Sequence, residues 1–435
     1  ATPPTHAAYD NPNAATVNPL KEITTPRAEK ARTNSLTPKT TAIAICLDGC
    51  EPAYLDAAIA DGLMPTLKRM RETGTDRLAH SVIPSFTNPN NLSIATGRPP
   101  SVHGICGNFL FDPDSGEEVM MNDVRFLRAP TIFQKFYEAG AKVAIVTAKD
   151  KLRALLGSGM AFDEDRARCF SAEKSASSTL TEHGQDAAAD WLGMPQPDVY
   201  SAQLSEFVFA AGVKLMQEWS PDVMYLTTTD YIQHKYAPDD AEAKSFYRVF
   251  DTYLKQLDAM GAAIVVTADH GMKPKHLADG SPAVVYVQDL MDNWLGDAAA
   301  RVILPITDPY VVHHGALGSF ATAYLPETAD IADIVAKLQA TAGITDVLTK
   351  AQAVDRFELP ADRIGDIVMV SGENMTIGTS EHRHDLAALD VPLRSHGGLT
   401  EQEVPFIANR VLDLPSQPVL RNFDAFFYAT TAAAL

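Results

Sequence analysis

The chain has 435 residues, of which 46% are hydrophobic and 21% charged, and its formal net charge is −19. This acidity argues against a nucleic-acid-binding surface, which needs a basic face, and against membrane attachment through a basic patch. No apolar run reaches the roughly 20 residues that a membrane-spanning helix needs. We therefore expect two or three globular domains, with no nucleic-acid or membrane partner.

Residues 1–38 differ in composition from the rest of the chain. They are rich in alanine, threonine, proline and asparagine, and they show no apolar periodicity. They also lack the hydrophobic stretch of a secretory signal. We predict that they form a tail that is flexible or lies against the protein surface.

From residue 39 onward, apolar runs alternate with helical patterns. Four runs predict buried strands, at 41–48, 142–149, 222–230 and 262–269. Helical segments before two of these strands end at glycines 140 and 261, and glycine commonly follows the last helical residue. Strands that are apolar throughout and alternate with helices indicate a mainly parallel sheet covered on both faces. The predicted fold class is α/β, with a three-layer core.

Between residues 275 and 385 the pattern changes to shorter, mixed elements. We predict that this segment is an inserted, smaller α+β cap domain. Residues 386–435 then return to the core, which therefore consists of 39–274 and 386–435.

The four cysteines are Cys46, Cys50, Cys106 and Cys169, and they show no paired spacing typical of a metal site. Cys46 lies within an apolar strand-like run, where a buried thiol behaves as a small hydrophobe. We expect reduced thiols in a cytoplasmic protein.

Charged residues stand at the ends of the four predicted strands: Asp48, Lys149, Asp230 and Asp269. The carboxyl ends of parallel strands share one edge of a sheet, and α/β proteins bind ligands there. Three carboxylates at one edge repel one another unless a cation lies between them. The sequence therefore predicts a metal site at this edge.

Three histidines strengthen the prediction of a metal site. Asp230 and His234 are four residues apart, about one helical turn, and Asp269 directly precedes His270. His396 is followed by two glycines that allow a tight turn. Carboxylates combined with imidazoles suit Zn²⁺, with Mn²⁺ or Fe²⁺ as competitors.

Each of these features also has a purely structural explanation. An isolated Asp48 at a strand end is more often a helix N-cap, and an Asp–His pair one turn apart is more often part of an exposed helix face. His396 can simply serve the turn that its glycines form. The convergence of all these residues on one predicted edge favours the metal site.

Five segments, in chain order, resemble the alkaline phosphatase superfamily: "CLDGCEP", "SFTNPNNLSIATG", "TTDYIQHKYAP", "TADHGM" and "RSHGGLTEQEVPF". Within it they are most similar to the enzymes that cleave the carbon–phosphorus bond of phosphonoacetate. The resemblance extends from about residue 40 to the C-terminus and includes "SVHGICGNFLFDP". It implies the fold of that superfamily and a hydrolase that converts phosphonoacetate to acetate and phosphate.

The resemblance also implies two zinc ions. The implied ligands are Asp230, His234 and His396 for one ion, and Asp48, Asp269, His270 and the hydroxyl of Thr87 for the other. Thr87 would then be the nucleophile and form a phosphothreonine intermediate, because a coordinated hydroxyl loses its proton more easily. The helix predicted after Thr87 would direct N–H groups and its positive end toward the phosphorus group. Without the resemblance, Thr87 is a polar residue at a helix start, as Ser85 and Asn88 are.

By the same resemblance, Asn108 would bind a phosphonate oxygen, and Lys149 and Lys151 would hold the substrate carboxylate. The alternative explanation of the two lysines is that they are exposed residues beyond a strand. The implied partner is a small phosphonate, and a homodimer is compatible with the resemblance.

Two other functions are open at this point. A nucleotide pyrophosphatase or phosphodiesterase of the same superfamily would share the metal ligands and the threonine, so that only the lysine pair and its surroundings distinguish it. A non-catalytic protein stabilised by metal is the second alternative. The sulfatase branch is disfavoured because its Cys-x-Pro-x-Arg motif is absent from the sequence.

Overall fold

The computed structural model describes residues 40–307, 315–416 and 419–434. The predicted tail, residues 1–38, lies outside these ranges. The strands are, in chain order, β1 (Ala42–Cys46), β2 (Thr75–His80), β3 (Phe109–Asp112), β4 (Glu117–Met120), β5 (Val143–Thr147), β6 (Ala167–Ser171), β7 (Val223–Thr227), β8 (Ala263–Thr267), β9 (Lys273–Pro274), β10 (Val284–Tyr286), β11 (Arg301–Ile303), β12 (Phe320–Tyr324), β13 (Ile344–Thr349), β14 (Ile367–Ser371), β15 (Thr376–Gly378), β16 (Arg394–Ser395) and β17 (Glu403–Ala408).

The helices are, in chain order, α1 (Pro52–Ala60), α2 (Pro65–Thr73), α3 (Thr87–Thr96), α4 (Pro100–His103), α5 (Ile132–Glu138), α6 (Asp150–Leu156), α7 (Leu180–His183), α8 (Ala188–Leu192), α9 (Gln203–Glu218), α10 (Tyr231–Lys235), α11 (Ala241–Ala259), α12 (Val287–Leu295), α13 (Ile331–Gln339), α14 (Lys350–Phe357) and α15 (Ala425–Ala434). No helix within the described ranges is long and apolar enough to cross a membrane.

The largest sheet has seven strands in the spatial order β2-β17-β8-β1-β7-β5-β6. The pairs β8–β1, β1–β7, β7–β5 and β5–β6 are parallel, whereas β17 runs antiparallel to β2 and β8. Strands β1, β5, β7 and β8 are buried along their whole length, as their apolar sequences predicted. The predicted mixed α/β fold with a mainly parallel sheet is confirmed.

Helices cover both faces of this sheet, and strand β7 shows how. The ring of Tyr225 stacks on Phe133 of α5 and lies edge-on to Phe426 of α15. The next side chain, Leu226, contacts Gly212 of α9. Since successive residues of a strand point to opposite faces, α5 and α15 cover one face and α9 the other.

Helix α11 packs on α9 through one apolar stripe, and it also fixes a neighbouring helix. Its buried Asp251 accepts hydrogen bonds from the backbone N–H groups of Thr66 and Leu67, at 3.0 and 2.8 Å. Those N–H groups lie in the first turn of α2, where no carbonyl of the same helix can accept their hydrogen bonds. The carboxylate therefore satisfies them and opposes the positive helix end.

A second sheet, β11-β12-β14-β13, is antiparallel and built by residues 301–371. Helices α13 and α14 pack against it. It lies within the segment 275–385, for which the sequence predicts a cap domain. The chain enters and leaves that segment side by side, because Lys273 pairs with Ser395 and Pro274 with Arg394. The division into core and cap stays a prediction.

Candidate active site

Four neighbouring parallel strands end level with one another. In the pairing register, Cys46 of β1 lies between Thr227 of β7 and Thr267 of β8, and Thr147 of β5 lies beside Thr227. Each strand is followed, within three residues, by one of the predicted charged side chains. These are Asp48, Lys149, Asp230 and Asp269. The predicted clustering at the carboxyl edge of the sheet therefore results directly from strand order and register.

Two clusters of metal-ligating side chains lie at this edge. In the first, which consists of Asp230, His234 and His396, the Nε2 atoms of His234 and His396 lie 2.9 and 3.6 Å from Asp230 Oδ2. Asp230 directly precedes α10, and His234 lies one turn along that helix. The five-residue helix thus provides the spacing that the sequence predicted.

The second cluster consists of Asp48, Asp269 and His270, all buried. The Nε2 atom of His270 lies 3.2 Å from Asp48 Oδ1 and 3.6 Å from Asp269 Oδ2. Asp269 is oriented by the backbone N–H groups of Gly49 and His270, which donate to its Oδ1. Gly49 has φ of +69°, and a Cβ there would lie 2.9 Å from Asp230 Cβ, so only glycine fits between the two clusters.

The three histidines are held in the tautomer that a metal requires. The Nδ1 atoms of His234, His270 and His396 lie 2.7–2.8 Å from the backbone carbonyl oxygens of Arg394, Gly271 and Ser85, respectively. A carbonyl oxygen only accepts, so each Nδ1 carries the proton and donates it. Each Nε2 therefore faces its cluster and is the nitrogen that can bind a metal, as in metal-binding histidines.

Two buried atoms of the second cluster show that its residues suit a cation. Asp48 Oδ1 and His270 Nε2 have no hydrogen-bond partner among the described residues, although they face each other. Burial, and after it the charges of Asp230 and Asp269, raise the pKa of Asp48 well above its usual range. Burial by itself would lower the pKa of His270, but Asp269 and Asp48 outweigh it and raise that pKa to about 10. Both shifts mark a place that favours a positive charge, and the two clusters can each hold a metal ion.

Thr87 is the first residue of α3, and its neighbours along the chain contact both clusters. Asn91, one turn along the helix, donates from its Nδ2 to the Thr87 carbonyl at 3.0 Å and to Asp269 Oδ2 at 3.3 Å. On the other side, the ring of Phe86 packs 5.5 Å from the ring of His396. Asn91 therefore connects the Thr87 backbone to Asp269 of one cluster, and the residue before Thr87 packs on His396 of the other.

The expectation that the start of α3 offers several N–H groups to a substrate is wrong. The Asn88 N–H donates to Asn108 Oδ1 at 3.0 Å, and Pro89 has no N–H. Only the Thr87 N–H in this turn lacks an acceptor within the described part of the chain. The Asn88 N–H acts indirectly, because it fixes Asn108 so that the Nδ2 group of that amide stays available as a donor.

The two predicted lysines come after β5. Lys149 directly precedes helix α6, and its ammonium lies 5.7 Å from the centroid of the Tyr200 ring. Lys151 is the second residue of α6, two positions farther from the strand end. Both side chains are partly exposed. The register of β5 places Lys149 at the same edge as the two clusters, and a role for Lys151 stays a prediction.

Sequence reasoning missed several residues that hold the site together. The Asn91 Oδ1 atom accepts hydrogen bonds from Tyr225 and Thr227 while its Nδ2 contacts Asp269. Asn91 belongs to the segment "SFTNPNNLSIATG", so its position near Thr87 was the available signal. Ser85 contributes a backbone carbonyl to His396, and backbone atoms leave no trace in a sequence.

Comparison with known proteins identifies the family. The family model for type I phosphodiesterases and nucleotide pyrophosphatases matches residues 42–398. The chain belongs to this family. Among solved structures, phosphonoacetate hydrolase from Sinorhizobium meliloti 1021, in complex with phosphonoacetate, is 74% identical over 91% of this chain and 96% of its own, with a TM-score of 0.89. Its complex with phosphonoformate aligns equally well, at 75% identity.

More distant members of the type I phosphodiesterase family share the fold. Murine ectonucleotide pyrophosphatase/phosphodiesterase 5 is 19% identical over 91% of this chain and 95% of its own, with a TM-score of 0.62. An uncharacterised pyrophosphatase/phosphodiesterase of Schizosaccharomyces pombe is 24% identical over 54% of this chain. Rat ectonucleotide pyrophosphatase/phosphodiesterase family member 1 is 23% identical over 52%. These two alignments span only 45% and 23% of the relatives' lengths.

A buried histidine links the segment before Asn108 to helix α3. His103 Nδ1 accepts a hydrogen bond from the Ile105 N–H, so its Nε2 carries the proton and donates to Ser93 of α3 at 2.9 Å. Burial, and after it the nearby charge of Arg363, lowers the pKa of His103 to about 3. The folded protein therefore keeps His103 neutral at pH values where the unfolded chain protonates it.

We predict that this histidine makes the fold acid-sensitive. Because its pKa is depressed in the folded state, its contribution is fully present above about pH 6.5 and is lost as the pH falls toward 3. Relative to His103→Gln, which cannot be protonated, the wild type should lose about 3 kcal/mol of unfolding free energy between pH 7 and pH 4. Urea unfolding of both proteins with chelator present measures this difference. Parallel stability profiles for the two proteins would show that His103 is not the titrating group.

Proposed function

We propose that this chain hydrolyses the carbon–phosphorus bond of phosphonoacetate to acetate and phosphate, using two zinc ions and Thr87 as the nucleophile. The observation that carries the proposal is the 74% identity, over nearly the whole of both chains, to a phosphonoacetate hydrolase solved with phosphonoacetate. Two clusters of Asp and His side chains at the sheet edge that also carries Lys149, and the contact of Asn91 with both Thr87 and Asp269, give that activity a physical basis.

The donor set of the two clusters supports zinc. One cluster combines a carboxylate with two imidazoles, and the other combines two carboxylates with an imidazole. We assign the Thr87 hydroxyl to the second cluster, because Asn91 bonds both the Thr87 carbonyl and Asp269. Nitrogen and carboxylate donors in such small sets are typical of zinc sites. When bound, the two ions supply positive charge that favours the deprotonated Thr87 hydroxyl and screens the charge of the phosphonate.

Thr87 carries out the displacement at phosphorus. Its Oγ1 forms a bond to phosphorus while the carbon–phosphorus bond breaks, and the electron pair of that bond leaves with the carbon. Protonation of the carbon gives acetate and leaves a phosphothreonine. Water then attacks phosphorus, which releases phosphate and restores the Thr87 hydroxyl.

Two donors, one from the start of α3 and one from the loop before β3, bind the phosphonate oxygens. These are the Thr87 N–H and the Nδ2 group of Asn108, whose Oδ1 is engaged by the Asn88 N–H. The helix has ten residues, and its dipole adds positive potential at this end. Donors fixed before the substrate arrives stabilise the extra negative charge at phosphorus without reorganisation.

Lys149 stabilises the leaving group, which is a carbon and therefore leaves with difficulty. Carbon leaves far less readily than the oxygen of a phosphate ester, but the adjacent carboxylate lets the electron pair spread onto oxygen as an enolate. An ammonium group that holds this carboxylate stabilises the charge as it develops. The position of Lys149, at the end of β5 and beside the Tyr200 ring, supports this role.

A second function, hydrolysis of nucleotide pyrophosphates or phosphodiesters, is favoured by one observation. The family model that matches the chain is described by those activities. These reactions would use the same clusters and Thr87, so the metal ligands do not separate the two functions. The two functions differ in whether the substrate carries a carboxylate, for which Lys149 is the proposed partner.

The buried thiols support a cytoplasmic location. Cys46, Cys50, Cys106 and Cys169 are all free and buried, which suits a reducing compartment. A homodimer stays a prediction.

Metal removal tests the proposed reaction. We expect the purified protein to release phosphate and acetate in equal amounts from phosphonoacetate, to lose this activity on chelation, and to regain it with two equivalents of zinc. Nitrophenyl phosphodiester serves as the comparison substrate. A higher kcat/KM for the diester than for phosphonoacetate would instead favour the second function.

Replacement of the nucleophile tests the chemical step. Thr87→Ala should lower kcat for phosphonoacetate more than about 1,000-fold, because the attacking oxygen is removed. Thr87→Ser keeps a hydroxyl and should retain measurable activity, and its zinc content should match that of the wild type. Full activity in Thr87→Ala would exclude a phosphothreonine.

Substitution of Lys149 tests the origin of substrate specificity. Lys149→Met should reduce kcat/KM for phosphonoacetate about 10- to 100-fold, since it removes one charged contact to the carboxylate. Its kcat/KM for a nitrophenyl ester, which lacks a carboxylate, should change less than about threefold. Lys255→Met, at an exposed position on α11, is the control. Equal losses on both substrates would rule out the assigned role.

A further inference from the structure

We propose that Glu401 and Lys275 form a positioning pair that sets the two metal clusters relative to each other. Neither residue contacts the proposed substrate donors, and neither has a part in the reaction derived above. The inference rests on the proposed function, because it concerns how the two zinc ions would be held. It is carried by the backbone and side-chain contacts of one buried glutamate.

Glu401 binds the loops that carry His270 and His396. Its backbone carbonyl accepts a hydrogen bond from the N–H of Gly271, the residue after His270, at 2.8 Å. Its Oε2 accepts from the N–H of Gly398, two residues after His396, at 2.9 Å. A single residue therefore fixes both loops, one through its backbone and one through its side chain.

Lys275 holds the carboxylate of Glu401 in place. The Lys275 ammonium donates to Glu401 Oε1 at 2.8 Å and to the backbone carbonyl of Glu373 at 2.6 Å. Both side chains of the ion pair are completely buried. Lys275 begins the predicted cap segment and Glu373 lies late in it, so the pair also connects that segment to the core.

The two loops meet at the boundary between the two metal clusters, where their relative position affects the ligand geometry. The rings of His270 and His396 stack with centroids 3.5 Å apart and planes within 5° of parallel. His270 belongs to one cluster and His396 to the other. Any shift of one loop against the other therefore changes the separation of the two sets of Nε2 and carboxylate donors.

The energetics of buried ion pairs favour a positioning role over a stabilising one. Two charges removed from water rarely stabilise a fold more than apolar side chains of the same size would. This pair is complete, with acceptors or donors on Glu401 Oε1, Glu401 Oε2 and the Lys275 ammonium, so its geometry is defined. Residues that orient metal ligands in this way commonly change metal affinity 10- to 100-fold when replaced.

Zinc binding measured by competition with a chromophoric chelator tests the pair. The wild type should bind two zinc ions per chain, and Glu401→Gln should bind at least one of them about 10-fold more weakly. Cobalt substitution gives a second readout, because its visible spectrum reports ligand geometry, and the spectrum of Glu401→Gln should differ from that of the wild type. The double variant Lys275→Met/Glu401→Gln, which buries no unpaired charge, should fold and show the same loss.

Leu338→Ala is the matched control. Leu338 is fully buried in α13, against the second sheet, and its truncation destabilises the fold without contact to either histidine loop. Its zinc affinity and cobalt spectrum should equal those of the wild type.

The outcomes separate this inference from the proposed function. If the wild type binds no zinc, the proposed function itself fails. If the wild type binds two ions and a folded Glu401 variant binds them within twofold of its affinity, with an unchanged cobalt spectrum, only the positioning role is overturned. Failure of both Glu401 variants to fold even with saturating zinc would assign the pair to folding alone and would also overturn it.

Discussion

Buried negative charge at the carboxyl edge of the large sheet is the constraint on which the rest of the site depends. Three neighbouring strands, β8, β1 and β7, end level and each delivers an aspartate to the same small volume. Desolvation and mutual repulsion both oppose ionisation there, which is why the pKa of Asp48 rises. A protein that keeps such a cluster needs compensating positive charge, and among the described residues Asp48 Oδ1 and His270 Nε2 have no hydrogen-bond partner. A bound cation would supply that charge.

Backbone carbonyl groups fix the orientation of the three histidine rings. Each imidazole donates from Nδ1 to a carbonyl oxygen in a loop, so that its other nitrogen faces the acids. The acceptors come from Ser85, Gly271 and Arg394, which lie in three separate segments of the chain. The geometry of the metal clusters therefore depends on the positions of these loops. The Glu401–Lys275 pair connects two of the loops.

The same edge suits several reactions of the alkaline phosphatase superfamily, and the differences lie around it. The acids, imidazoles and threonine serve any displacement at phosphorus, whether oxygen or carbon leaves. Breaking a carbon–phosphorus bond adds one requirement, stabilisation of charge on the departing carboxylated carbon. In this chain Lys149 follows β5, the strand next to β7, and is the proposed partner of that carboxylate. Under this proposal, substrate choice depends on the residues after β5 rather than on the metal ligands.

Strand sequences and strand-end residues were sufficient to predict much of this protein. Runs of apolar residues located β1, β5, β7 and β8 to within three residues, because a strand buried on both faces must be apolar throughout. Three strands of the same sheet, β2, β6 and β17, were missed. Strands β2 and β6 contain charged residues, and β17 contains Pro405, so their patterns are weak.

The sequence by itself determined which chemical groups stand at the strand ends, because that depends only on local order along the chain. The tertiary structure alone decided how they are oriented. The contact of Asn91 with Asp269, the carbonyl partners of the histidines and the reach of Glu401 to two loops join residues far apart in the chain or involve backbone atoms. It also decided that the Asn88 N–H serves Asn108 rather than a substrate. Such contacts have no signature in residue type or spacing, since they arise only when distant segments pack together.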